Sequence, residues 1–162
     1  MLCHVAQAKT PVYTDAVKGP FAKITFQNES EMDAQIYLYK DGALCKQKRR
    51  IQFDNKAGST VIKFNASKKI AFEYGLYAGK VGHCVYTISF TPTPNDHYLI
   101  SARTTEEKTR HTQCHLQLIR MHPEGIYSRV DFEIRTPKAA YSDDEAHCEP
   151  VSKEQKRVFT DE

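Results

Sequence analysis

Tryptophan is absent from this 162-residue chain, and glycine and proline number only 7 each. That is too little of either for a collagen-like or low-complexity chain. No run approaches the ~18 consecutive apolar residues that a membrane-spanning helix needs. No two cysteines stand in C-x-x-C or another close ligand spacing, so zinc-ribbon and thioredoxin-type patterns are missing. Nucleophile elbow, zincin motif, P-loop and dinucleotide fingerprint are missing too. No cofactor is therefore expected. Positive charge is only slightly in excess: 23 Lys and Arg against 20 Asp and Glu, a net charge of +3. Nucleic-acid binders concentrate far more on one face, and no nucleic-acid partner is expected. Met1 to Thr10 is too short and too polar for a signal peptide. That leaves a cytosolic protein, or a chain that starts near a processed N-terminus.

Tyrosine (9) and phenylalanine (8) are plentiful. With frequent β-branched residues, they favour strands. Alternation of apolar and polar side chains supports the same reading. Ala22, Ile24 and Phe26 share a face, as do Ile36 and Leu38, with Tyr37 and Tyr39 opposite. Ile62 and Phe64 form another set, and Ile70, Phe72 and Tyr74 another. Turn residues separate them: Asn28 to Asp33, Lys40-Asp41-Gly42, Asp54 to Gly58 and Ala66 to Lys69. Asp-Gly at 41–42 suggests positive φ at a tight turn. Ile51 to Phe53 reads as a short strand.

Cys84 to Met121 organises the rest. Cys84, Tyr86, Ile88 and Phe90 share one face. Tyr98, Ile100 and Ala102 share another, then Cys114, Leu116 and Leu118. Thr91 to Asp96 contains two prolines and cannot continue a strand. The stretch reads as a three-stranded antiparallel piece. Cys84 and Cys114 both fall in phase with core-facing residues, which is the reason to pair them. Such a bridge would contribute about 3 kcal/mol; two buried free thiols would also suit apolar faces. A last strand, Tyr127 to Arg135, points Val130, Phe132 and Ile134 inward.

Three segments follow: a flexible N-terminal arm or tether at 1–20, a β-sandwich domain at 21–136, and a charged, largely disordered tail at 137–162. Cys3 is either an incidental thiol or the lipid-modified first residue of a mature lipoprotein. If Cys3 is lipidated and Cys84 pairs with Cys114, Cys45 and Cys148 remain to form a second bridge. The run Lys46-Gln47-Lys48-Arg49-Arg50 reads as a solvated loop beside a strand edge, because no aromatic residue interleaves it. Asn28-Glu29-Ser30 and Asn65-Ala66-Ser67 match the glycosylation pattern, a match common by chance.

Seven histidines invite a search for metal ligands. His83-Cys84 and Cys114-His115 look like mirrored pairs, but adjacent strand residues point to opposite faces. His111 and His115 would share a face ~13 Å apart at ~3.3 Å per residue, too far for one zinc. Neither a metal site nor catalytic residues are expected.

The order of Ala22 to Asn28, Cys45, Cys84 with Ser89-Phe90-Thr91-Pro92, a Tyr98 strand and Cys114 resembles a group of small lipoproteins of the Gram-negative envelope. The resemblance spans roughly Ala22 to Met121. Thr93-Pro94-Asn95-Asp96 stands where that group would place a glycine-containing turn. The resemblance implies an envelope location, periplasmic or outer-membrane associated, and a β-sandwich; it implies no activity.

The expectation is an all-β fold: an antiparallel sandwich of about 7–9 short strands, immunoglobulin-like or transthyretin-like. The expected function is a non-enzymatic envelope protein with a structural or protein-binding role. Its partner would be a protein or the cell wall, with a membrane tether through Cys3. The alternatives are a soluble secreted binder or inhibitor, and a metal protein or enzyme that uses loop histidines.

Overall fold

A computed structural model describes residues 9–106 and 112–149. Cys3 and His111 lie outside the described residues, as does the tail beyond Glu149. The described chain is all-β. Its strands are β1 (Phe21–Asn28), β2 (Asp33–Asp41), β3 (Lys46–Ile51), β4 (Ser59–Asn65), β5 (Ile70–Ala78), β6 (Val81–Phe90), β7 (His97–Glu106), β8 (Thr112–Met121), β9 (Tyr127–Arg129) and β10 (Glu133–Arg135). They form two five-stranded sheets, ordered β4-β1-β7-β8-β9 and β10-β6-β5-β2-β3. The expected sandwich is what forms. Its strands are ten rather than 7–9, and one pair, β1 with β7, runs parallel.

The period-2 faces meet between the sheets. Ile24 and Phe26 of β1, Ile36 of β2, Phe72 of β5, Ile88 of β6 and Ile100 of β7 are all fully buried. Aromatic rings zigzag across the layer. Phe26 stands edge-on to Phe72 at 5.5 Å, Phe72 to Phe90 at 6.0 Å, and Phe90 to Tyr98 at 5.0 Å. Such contacts add about 0.5–1.5 kcal/mol beyond the area they bury. Buried tyrosine hydroxyls find partners at the rim. Tyr74 donates to the Gln27 carbonyl at 2.9 Å. The Tyr98 oxygen accepts from the Thr93 amide at 2.8 Å.

Cys84 to Met121 is not one three-stranded piece. β7 and β8 pair over their whole length, but β6 pairs with β5 and β10 in the opposite sheet. The physical reason is the segment between them. Pro92 and Pro94 interrupt the ladder, and Asn95 takes a positive φ of 68°. Its amide donates to the Phe21 carbonyl at 2.6 Å, and the chain crosses to the other sheet. Asparagine tolerates this left-handed conformation better than most residues, so it serves where a glycine was expected. The expected strand Tyr127 to Arg135 is likewise two: β9 ends one sheet and β10 the other.

Two turns differ from expectation. Gly42 is not in the positive-φ region; Cys45 (φ 52°) and Gln47 (φ 58°) are. A Cβ at Gly42 would run into the Lys69 and Ile70 backbone, so close approach is what requires glycine there. The basic run 46–50 is not a loop. It forms β3, the edge strand itself.

Candidate functional site

Two disulfides set the geometry. Cys84–Cys114 joins β6 to β8, hence one sheet to the other, with Cα atoms 5.9 Å apart. Cys45–Cys148 joins the β2–β3 turn to the C-terminal segment, with Cα atoms 5.6 Å apart across a sequence separation of 103. Such bonds belong to oxidising, non-cytoplasmic compartments.

Under the second bond lies a half-buried polar cluster around the buried Tyr39. Residues 137–149 fold into a strap across the outer face of the β10-β6-β5-β2-β3 sheet. Pro137 bridges to Cys148, the Lys138 amide donates to the His147 carbonyl, and the Gln47 amide donates to the Asp143 carbonyl. The strap covers Tyr39 and Ala71, which with Cys45 and Cys148 form a second small core. Tyr39 alternates out of the main core, and the strap is the reason it is buried. Its hydroxyl donates to Glu73 at 3.2 Å. Lys48 Nζ sits 3.2 Å from the same carboxylate and 4.3 Å from the centre of the Tyr37 ring.

Burial, then the Glu73 charge, pushes the Tyr39 hydroxyl well above the usual tyrosine range. His147 packs on the Tyr39 ring at 5.6 Å. Burial, then Lys48, holds its imidazole below the ordinary histidine value, against the opposing pull of Asp143, Glu73 and Glu145. Its neutral form is the one this site favours.

Arg135 locks the strap down from β10. It is 4% exposed. Nη2 donates to the Ala43 carbonyl at 2.9 Å and the Glu149 carbonyl at 3.0 Å, and Nε to the Glu149 carbonyl at 3.1 Å. Nη1 donates to the Gly42 carbonyl and Ser89 hydroxyl, each at 3.3 Å. One guanidinium thus ties the β2–β3 turn, β6 and the strap together. Burial lowers its pKa, and the Glu133 charge opposes that shift. Nothing in the alternation around Arg135 marks it for burial; Tyr39, Glu73 and His147 were equally silent.

The N-terminal segment does the same for the adjacent edge. The Tyr13 amide donates to the Arg50 carbonyl at 2.8 Å, and the Arg50 amide to the Pro11 carbonyl at 2.8 Å. The Ala16 amide donates to the Lys63 carbonyl at 3.1 Å, while the Lys63 amide donates to Asp15 Oδ1 at 3.1 Å. Tyr13 Oη reaches the Lys63 carbonyl at 2.9 Å, and its pKa is pushed up to about 12 by burial and Asp15. The segment therefore spans β3 of one sheet and β4 of the other. It covers a cavity of about 400 Å3 between them, lined in part by Tyr13, Leu38, Tyr39, Phe64 and Ile70.

Two of the four basic residues of the run are committed to ion pairs: Lys48 to Glu73, and Arg49 to Asp143 at 2.9 Å. His83 and His115 are exposed, and His115 Nε2 lies 3.1 Å from Thr105 Oγ1. Among the described residues, no group of three or more His, Cys, Asp or Glu side chains is placed to hold a metal ion.

The opposite side is built differently. β8 runs ten residues, but β9 pairs only with Ile119–Met121. The Val130 amide adds one contact to the Leu118 carbonyl at 3.4 Å. β6 likewise runs ten residues, and β10 covers only Thr87–Ser89. Beside the bare part of β8 lies a groove of about 400 Å3, whose lining includes Arg103, His115, Leu116, Arg129, Val130 and Phe132.

Comparisons with protein-family models, with curated proteins and with solved structures find no match to this chain.

Proposed function

We propose that the protein is a non-enzymatic, envelope-associated β-sandwich with a structural or protein-binding role, working in the periplasm or at the outer membrane. The observation that carries this reading is the pair of disulfides. Cys84–Cys114 staples the two sheets, and Cys45–Cys148 fastens the strap. A chain that depends on two such bonds is suited to an oxidising space. The titratable groups under the strap support a structural assignment for that cluster. Lys48, Glu73 and Tyr39 satisfy one another, and the strap covers Tyr39.

In this reading Cys3 carries the lipid, and the few residues between it and the docked segment that begins at Pro11 are the tether. A soluble secreted binder or inhibitor would share the fold and the disulfides and differ at Cys3 alone.

Thiol counting on the native protein, with and without reductant, tests the compartment. Four oxidised cysteines are expected, and five free thiols would sink the reading. Intact-mass analysis then separates tether from secretion: a diacylglyceryl group on Cys3 is expected, and an unmodified Cys3 turns the assignment to a soluble binder.

A further inference from the structure

Strands alternate the direction of their backbone groups, so residues two apart offer amide and carbonyl to the same neighbour. The Val130 amide meets the Leu118 carbonyl. Leu118 therefore turns its backbone groups away from β7, and Leu116, Cys114 and Thr112 turn theirs the same way. Among the described residues, no strand lies on that side of β8 from Thr112 to Gln117. From the opposite sheet the Tyr86 hydroxyl reaches the Cys114 carbonyl at 3.5 Å, and the Cys84–Cys114 bond fastens the Cys114 side chain. A row of backbone donors and acceptors with no partner strand among the described residues is a template for one more strand.

The groove beside that row has two faces. Leu116, Val130 and Phe132 belong to the core side and are half-buried. Arg103, His115 and Arg129 belong to the outer side and are exposed. Arg103 and Arg129 form no ion pair with an acidic side chain among the described residues, and Glu29 is the one carboxylate on the lining. A strand laid against β8, in line with β9, presents alternate side chains to those two faces.

We infer that the open edge of β8 between Thr112 and Gln117 is a docking site for an extended segment of a partner protein that alternates apolar with acidic side chains. The backbone row supplies the ladder. Leu116, Val130 and Phe132 receive the apolar side chains, and Arg103 and Arg129 receive the carboxylates. The inference deepens the protein-binding part of the proposed function and does not depend on which compartment the protein occupies.

The test uses the oxidised full chain and a labelled peptide of about ten residues alternating valine with glutamate. Fluorescence anisotropy is expected to show saturable binding. A proline at the centre of the peptide removes a ladder donor, and is expected to weaken binding by about tenfold or more. Replacing glutamate by lysine throughout the peptide is expected to weaken it as much. Arg103→Glu combined with Arg129→Glu changes two exposed side chains and is expected to reverse the preference between the two peptides.

Equal binding of the proline-interrupted peptide, or no binding up to about millimolar peptide, overturns the inference. So does a dimer by sedimentation that the double variant dissociates, because the occupant is then a second copy of this chain. Binding to a protein whose cysteines are free in the cell would remove the compartment assignment and leave the docking edge standing.

Discussion

On one side of the sandwich the edge amides of Gln47, Arg50 and Lys63 donate to Asp143, Pro11 and Asp15, none of which belongs to a strand. On the other side, the amides of Thr112, Cys114 and Leu116 point to a flank with no strand among the described residues. The two sides belong to the same two sheets and border cavities of the same size, about 400 Å3. What differs is the chain available to cover them. Residues 11–16 and 137–149 lie against β3 and β4, whereas β9 and β10, three residues each, leave more than half of β8 and β6 without a strand on that flank among the described residues. Open edges are a hazard that proteins usually cover. Among the described residues, the segments flanking the sandwich lie on one side and leave the other without a strand, which separates a sealed flank from an open one.

Removing the bond that fastens the seal has the largest expected effect. Cys45→Ala with Cys148→Ala should cost about 2–5 kcal/mol in urea unfolding and should strip exchange protection from residues 137–149. Cys84→Ala with Cys114→Ala should cost a comparable amount yet leave the strap protected. Equal loss of strap protection in both would erase the distinction between the flanks.

Arg135→Ala comes next. It leaves the Gly42, Ala43 and Glu149 carbonyls without their buried donor, at about 2–3 kcal/mol. The same urea titration reads it, and a loss near zero would mean that water replaces the guanidinium freely. Tyr13→Phe removes one hydrogen bond to Lys63 and should cost about 1 kcal/mol, seen as faster proteolysis of the arm. On the open side Gln117→Lys should change stability by less than about 0.5 kcal/mol, because that flank holds nothing down.

The smallest effect is one of pH. His147 titrates below its unfolded value because burial, then Lys48, disfavours its charged form. The unfolded chain therefore binds the extra proton first. Strap stability present above about pH 6.5 should fall as the solution is acidified through the depressed value. His147→Gln should flatten that fall in a pH series of strap exchange rates, while β8 exchange stays unaffected by the substitution.

The main core was legible because period-2 alternation reports it directly. Ile24, Phe26, Ile36, Phe72, Ile88 and Ile100 each fell on a shared apolar strand face, and all are buried. The phase argument that put Cys84 and Cys114 on core faces is compatible with a bond between sheets as well as within one, so it could not reveal that β6 lies opposite β8. That depended on where Pro92, Pro94 and Asn95 send the chain, a matter of three-dimensional path rather than period. The outer-face core around Tyr39 was hidden for a related reason. Its lid arrives from residues 137–149, whose composition reads as solvated tail, and contacts distant in sequence hold that lid in place: the Cys45–Cys148 bond, the reach of Arg135, and the Gln47 and Arg49 contacts to Asp143. The docking edge was equally illegible, since a strand's exposure follows from how far its neighbours extend.

Hydrogen exchange at single-residue resolution tests the contrast most directly. In the oxidised protein, the Arg50, Lys63 and Gln47 amides should be protected with the body of the sandwich, while the Thr112, Cys114 and Leu116 amides should exchange at least about tenfold faster. Equal protection along β8 would show that this edge is already paired and would contradict the division into a sealed and an open flank.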